Sequence, residues 1–219
     1  MSTYMYMKVL EAAPERYDRG MRTLSRGRID ALYERMAQFV ARPGRTVLDI
    51  GTGTGGVALA CARLGARVIA IDVNAGMLSI ARARAAELQL QTNVQFREIG
   101  MAEVEDYLGP ASVDAMTACL VFSEMSPEMQ RYALKVIASR LKPGGRLVIA
   151  DEGLPETLWA RWRYRFRRAA ALLITFLQTL NWTRPIDVRN LENMCVQQGL
   201  GIRIQERLQP NFTLLVLEC

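Results

Sequence analysis

The sequence predicts an α/β chain with a mostly parallel, seven-stranded sheet covered by helices on both faces, and three observations carry that expectation. Short β-branched runs alternate with longer helical patterns along the middle of the chain. The first of those runs ends in a glycine-rich turn, Gly51-Thr52-Gly53-Thr54-Gly55-Gly56, that opens a helix. Two closing strand patterns, 201–208 and 213–218, are joined by a short turn around Gln209-Pro210-Asn211, so they pair antiparallel.

Taken in order, residues 1–45 hold no strand pattern and read as a helical cap. Within them 28–40 is an amphipathic helix with Ile29, Leu32, Tyr33, Met36, Phe39 and Val40 on one side, ended by Pro43-Gly44. Strands are predicted at 46–50, 67–71, 94–98, 113–118 and 146–150, with helices at 55–64, 75–88 and 127–141 between them. Each crossover is long enough to be a right-handed βαβ unit. After the fifth strand the rhythm changes. A helical stretch at 155–180, inside an insertion at 152–186, precedes a helix at 188–198 and the closing strands.

With 219 residues, half of them hydrophobic, the chain can bury one sizeable core, and a single domain over 1–219 is expected. The four cysteines, Cys61, Cys119, Cys195 and Cys219, form no CxxC pair, and there is no histidine to complete a mixed site, so reduced thiols and no metal are expected. Residues 1–10 lack both a basic start and an apolar run, which points to a cytoplasmic address. The net charge of +6 equals the six arginines between 157 and 186, a stretch with no acid; the rest of the chain is neutral. A basic excess confined to one segment disfavours nucleic acid as the partner.

The glycine-rich turn follows the buried run Val47-Leu48-Asp49-Ile50, where backbone can approach a ligand closely and a helix N-terminus favours electron-rich groups. Twenty-one residues after Gly51, the second strand ends in Asp72, whose carboxylate can accept both hydroxyls of a ribose. This arrangement suits a nicotinamide dinucleotide and S-adenosylmethionine (SAM) alike. Asp49 separates them. A carboxylate two residues before the first glycine repels a pyrophosphate, whereas it supports a cofactor bearing an ammonium and a sulfonium.

On these residues the chain resembles the class I SAM-dependent methyltransferases, whose fold is Rossmann-like, from about Tyr17 to the C-terminus. The matching pieces are the 47–55 turn, Ile71-Asp72-Val73-Asn74 followed by Met77-Leu78, and Leu141-Lys142-Pro143-Gly144-Gly145 before strand five. The resemblance implies that Gly51, Thr52 and Gly53 line the methionine part of SAM, with Asp49 and Gly55 in the same cofactor set. It also implies that Asp72 holds the ribose, that Val73 and Met77 pack on the adenine, and that Cys119 and Leu120 face cofactor and acceptor. Met101 stands where such enzymes often place an aspartate for the adenine amino group, leaving that task to backbone of Met101 and Ala102. Strand four runs into Cys119-Leu120-Val121-Phe122 and not the Asn/Asp-Pro-Pro-aromatic motif of amide and base nitrogen methylation, which disfavours those acceptors.

Within the class, the chain is similar to small corrinoid-protein-associated methyltransferases, relatives of the ubiquinone/menaquinone C-methyltransferases. The residues that carry this are Tyr6-Met7-Lys8-Val9-Leu10-Glu11, Pro14-Glu15-Arg16-Tyr17-Asp18-Arg19-Gly20, Leu120-Val121-Phe122-Ser123-Glu124-Met125 and Thr183-Arg184-Pro185. It implies a small-molecule or corrinoid-linked acceptor, with any corrinoid arriving on a partner.

Methyl transfer from a sulfonium is an in-line displacement that positioning and exclusion of water can accelerate, yielding S-adenosylhomocysteine (SAH). If the acceptor must lose a proton, Glu124 is the first candidate base, Tyr17 a second, with Tyr6, Asp151 and Glu152 as further options. Tyr6, Phe122, Ser123, Trp159 and Trp162 are the candidate acceptor contacts. Trp159, Trp162, Phe166, Ala170, Leu173, Leu177 and Leu180 share one helical stripe, with Arg161, Arg165 and Arg168 opposite. That helix packs on the sheet, forms a lid over the acceptor, or meets an acidic protein or an anionic membrane surface; its apolar stretch is too short to span a bilayer. A quinone or lipid methyltransferase at the membrane surface and a non-catalytic SAM-binding subunit stand beside the enzymatic reading.

Overall fold

A computed structural model of the chain describes residues 14–25, 27–152, 188–208 and 212–219. Two helices come first, α1 (Pro14–Leu24) and α2 (Ile29–Val40). There follow β1 (Thr46–Ile50), α3 (Gly56–Arg63), β2 (Arg67–Asp72), α4 (Ala75–Glu87), β3 (Val94–Glu98), a short 3-10 turn at Met101–Glu103, α5 (Val104–Tyr107) and β4 (Val113–Cys119). A second 3-10 turn at Phe122–Glu124 leads to α6 (Pro127–Arg140), β5 (Leu141–Glu152), α7 (Val188–Gln197), β6 (Gly201–Leu208) and β7 (Phe212–Glu218). The expected helix at 155–180, its arginines Arg161, Arg165 and Arg168, and Tyr6, Trp159 and Trp162 lie outside the described residues, as does the turn at 209–211.

The seven strands form one sheet in the order β3-β2-β1-β4-β5-β7-β6. β1 pairs in parallel with β2 and β4, β2 with β3, and β4 with β5, while β7 is antiparallel to both of its neighbours. This is the predicted mixed, mostly parallel sheet with its C-terminal hairpin. The chain winds outward from β1 to β3 and then returns to lay β4 on the other side of β1. A crevice opens where the order reverses, at the carboxyl ends of β1 and β4.

Strand alternation divides the core into two faces. Val47, Val148, Ala150, Leu214 and Val216 face α2, α3, Met21 of α1 and Ala85 of α4. Leu48, Ile50, Leu147, Ile149, Leu215 and Leu217 face α5, α6 and α7. The helix starts are set by local hydrogen bonding of small polar side chains. Ser25 Oγ accepts from Ile29 N–H, Asn74 Oδ1 from Met77 N–H at 3.1 Å, and Ser126 Oγ from Met129 N–H at 3.2 Å, with Pro127 in the first turn of α6.

Two elements differ from the expectation. β5 starts at Leu141, five residues early, because Leu141 pairs with Val113 before an irregularity that the Lys142-Pro143-Gly144-Gly145 turn absorbs; Gly144 has a φ of +72°. The cap holds a second helix, α1, whose polar sequence and internal Gly20 hide its one buried apolar side chain among those described, Met21.

Met36 is fully buried at the centre of the α2 face. Met36→Ala removes that contact and leaves a cavity, and it lowers unfolding free energy by about 2–5 kcal/mol. A urea titration checks this; an unchanged midpoint would mean that α2 is not part of the core.

Candidate functional site

The turn after β1 is shaped by three left-handed glycines, Gly51, Gly53 and Gly55. At Gly51, with φ +62°, a side chain would be strained and would also run into Val121. Thr52 N–H donates to Ile71 O at 2.9 Å and Gly53 N–H to Asp72 Oδ2 at 2.8 Å, so the turn is stitched to the end of β2. The other oxygen of Asp72 accepts from Asn74 N–H at 2.8 Å. The carboxylate is thereby held at the lip of the crevice with its remaining acceptor capacity unused by these two donors.

Beneath the turn, Asp49 is 2 % exposed. Its carboxylate accepts from Thr52 Oγ1 and from Thr117 Oγ1, each at 2.6 Å. Burial pushes its pKa up to about 6, against the lowering effect of the two hydroxyl donors.

A cavity of about 310 Å³ opens above this layer. Gly51, Gly53, Asp72, Val73, Met77, Met101, Cys119 and Leu120 line it, as do Tyr17 and Glu124. Eight of the twelve predicted cofactor residues thus line one cavity together with both candidate bases. Asp49, Thr52, Tyr17 and Cys119 border a second, smaller cavity of about 20 Å³ that shares Gly51, Gly53 and Leu120 with the first and also touches Tyr33, Thr54 and Gly56. Gly55 lines neither; it precedes α3 with φ +84° and packs against Leu59 and Ala81. Ala102 is exposed and borders neither cavity. Beside it, Gly100 N–H donates to Glu103 Oε2 at 2.6 Å, which fixes the turn that presents Met101.

The 120–125 segment does not present its side chains as expected. Phe122 is fully buried in the core and Ser123 is 8 % exposed, with its N–H donating to Asp151 Oδ2 at 3.0 Å; neither lines the cavity. They anchor the turn instead, and Val121, Glu124 and Met125 face the space. Gln130 Nε2 donates to Phe122 O at 2.7 Å and braces the same turn from α6. Leu120, 6 % exposed, carries φ +61°, a conformation that is costly for a branched aliphatic residue and that recurs at ligand sites.

The Cys119 thiol is pushed well above its ordinary value by burial, and the negative charges of Asp151 and Asp49 add to the effect. It therefore borders the cavity as a neutral thiol and not as a nucleophile. Ile50, Ile71, Asn74, Ile99, Gly100, Val121 and Met125, to which sequence reasoning gave no ligand role, also line the cavity as strand ends and turns. The rule that ligands bind at the carboxyl ends of strands beside the switch point could have found them.

A parallel sheet reversed at β1/β4, a glycine-rich turn over a buried carboxylate, an acid closing β2 and an antiparallel β7 together define the class I, Rossmann-like methyltransferase fold. Residues 47–145 match a family model described as a methyltransferase domain. A ubiquinone biosynthesis O-methyltransferase of Xanthomonas campestris pv. campestris is 36% identical over 115 residues, 52% of this chain and 46% of that protein. A ribosomal protein L11 methyltransferase of Symbiobacterium thermophilum is 33% identical over 119 residues, 54% of this chain and 36% of that protein. The matched part spans less than half the length of these curated relatives. Among solved structures, a geranyl diphosphate methyltransferase in complex with SAM superposes with a TM-score of 0.68 at 15% identity, covering 86% of this chain and 84% of that one. The cyclase SpnF superposes with a TM-score of 0.68 at 19% identity, covering 86% and 80%. Residues 47–145 thus match a methyltransferase domain, and the described chain has the fold of these solved structures. None of these relatives is named for a corrinoid, and the corrinoid-linked expectation gains nothing from them.

Asp49 gives the site a measurable pH signature. Its pKa is raised on folding, so the stabilisation it brings is fully present below the unfolded value near 4 and is lost as pH rises through about 6. Asp49→Asn removes that dependence. Relative to the native protein, the variant gains stability between about pH 4 and about pH 8, on the order of 3 kcal/mol. Parallel urea titrations at the two pH values read the difference, and a constant difference would mean that Asp49 ionises normally.

Proposed function

We propose that the chain works as one domain that binds SAM in the cavity above Asp49 and transfers its methyl group to a small-molecule acceptor, releasing SAH. The observation that carries this reading is one space lined by the Gly51 and Gly53 backbone and the Asp72 carboxylate, with the Asp49 carboxylate buried beneath the turn. A diphosphate at the turn would be repelled by Asp49 below it, whereas a sulfonium nucleoside finds a ribose acceptor at Asp72 and negative potential below the turn. Gly51, Thr52 and Gly53 would receive the amino acid end of the cofactor, and Val73, Met77, Met101 and Ala102 the adenine end. Cys119 and Leu120 would flank the sulfur.

Glu124 is the group proposed to take a proton from an acceptor that must lose one, with Tyr17 beside it in the same cavity wall. A quinone precursor is the acceptor class that the Xanthomonas relative supports through its name. Among the described residues no helix is long and apolar enough to cross a membrane. Membrane contact, an acidic protein partner and a cytoplasmic address therefore rest on the sequence alone. SpnF carries the same fold under the name of a cyclase, so the fold does not by itself decide that a methyl group moves.

Two measurements test the reading. In calorimetry the native protein binds SAM and SAH and shows no heat with NADH, and Asp72→Ala loses SAM affinity by about a hundredfold or more, the scale of two lost hydrogen bonds to a charged group. Pyrophosphate binding, or an Asp72→Ala variant with native affinity, would end the SAM assignment. SAM and SAH differ in the charge on sulfur, so ionised Asp49 favours SAM. The ratio of their affinities rises as pH passes about 6 in the native protein and stays flat in Asp49→Asn.

A further inference from the structure

Among the described side chains of α1, Met21 is the one that is buried; Tyr17 and Asp18 are half-buried, and Arg19, Arg22 and Thr23 are exposed. Tyr17 packs, half-buried, against the same core as Met21. A further attachment is polar. Asp18 Oδ1 accepts from Thr54 Oγ1 at 2.6 Å, and Asp18 Oδ2 pairs with Arg84 Nη1 at 2.8 Å. The same Arg84 nitrogen lies 2.9 Å from Thr54 O and 3.2 Å from Thr54 Oγ1.

Three segments therefore meet at one knot: the cap helix, the glycine-rich turn and α4. Thr54, at the centre, is 3 % exposed. The ion pair itself is roughly a quarter exposed on each side. It is sheltered enough to be directional and wet enough to break. Tyr17, the residue before Asp18, borders both cavities. Closing the knot therefore sets Tyr17 against the space above the turn.

We propose that Asp18 and Arg84 are positioning residues that latch α1 to Thr54, so that the cap completes the cofactor cavity with Tyr17 and slows escape of the bound nucleoside. This rests on the SAM-binding reading above. The neighbouring exposed pair Arg22–Asp30, at 2.8 Å, ties α1 to α2 within the cap and involves neither the turn nor α4, and it serves as an internal control.

SAH is the probe, because it needs no acceptor. Binding is measured by calorimetry and dissociation by stopped flow, and amide hydrogen exchange of residues 14–24 is followed with and without SAH. In the native protein SAH slows exchange across 14–24. Asp18→Asn and Arg84→Gln weaken SAH about tenfold, chiefly through faster dissociation, and lose that slowing, while Arg22→Gln behaves as native. Arg84→Lys keeps the charge but has fewer donors to share between Asp18 and Thr54, and it falls between native and Arg84→Gln. If Arg84→Gln fails to fold, Asp18→Asn and Arg84→Lys carry the test.

Native affinity and native protection in the Asp18 and Arg84 variants, beside a native protein that binds SAH, overturn the latch and leave the SAM reading intact. A native protein that takes up no SAH overturns both. A loss of equal size in Arg22→Gln also overturns the latch, since it would make the cap's general stability the cause.

Discussion

The Asp49 carboxylate joins the two strands between which the crevice opens. One of its donors, Thr52, belongs to the turn that leaves β1, and the other, Thr117, belongs to β4 on the far side of the switch point. Taking a carboxylate out of water costs several kcal/mol. Two donors to a charged acceptor return about 1.5–3 kcal/mol each. The balance leaves a group whose pKa is raised only to about 6 and not far beyond it. The turn is thus pinned from below by a group that is close to its own titration point, and a positive charge above it would hold it ionised. Pinning and charge selection come from the same pair of hydrogen bonds.

Two edges of the cavity are backbone in a conformation that side chains disfavour. Gly51 and Gly53 carry positive φ on one side, and Leu120 does so on the other without being glycine. Val121 fills the space that a side chain at Gly51 would need, so the two loops fit only because one has no side chain there. Strain of this kind persists where neighbours over-determine it. Here Asp151 holds Ser123 N–H, Gln130 holds Phe122 O, and Leu120 N–H donates to Ala150 O at 2.8 Å. The loop after β4 is therefore held on both sides by its neighbours, whereas the α1 wall is tied to the turn through Asp18.

What the sequence made legible follows from which forces act locally. Hydrophobic alternation located every strand of the sheet, and the glycine spacing located the turn, because both signals reside in neighbouring residues. Asp72 was found by its distance from Gly51 along one βαβ unit. Arg84 was not. It sits within a helix that the sequence analysis used only for Met77 and Leu78, and its partner lies 66 residues earlier in a short helix of mostly polar sequence. Phe122 and Ser123 misled for a related reason. They border the cavity residues in sequence, but the left-handed step at Leu120 rotates the chain, so Phe122 enters the core and Glu124 takes the open side. A single non-glycine residue at positive φ cannot be read from composition or period.

The chemistry available to an acceptor is narrow on the reading proposed above. Tyr17, Cys119, Glu124 and Met125 face the space beyond the sulfur position; Glu124 brings a carboxyl group to it, and burial keeps the Cys119 thiol protonated. A wall of that kind suits a largely uncharged acceptor that presents one hydroxyl or activated carbon to a single base. It suits a polyanion poorly, because Glu124 and Asp72 would repel it and no cation lines the described cavity. The cap then matters twice: it supplies Tyr17 to that wall, and its hold on Thr54 decides how long the nucleoside stays beneath it.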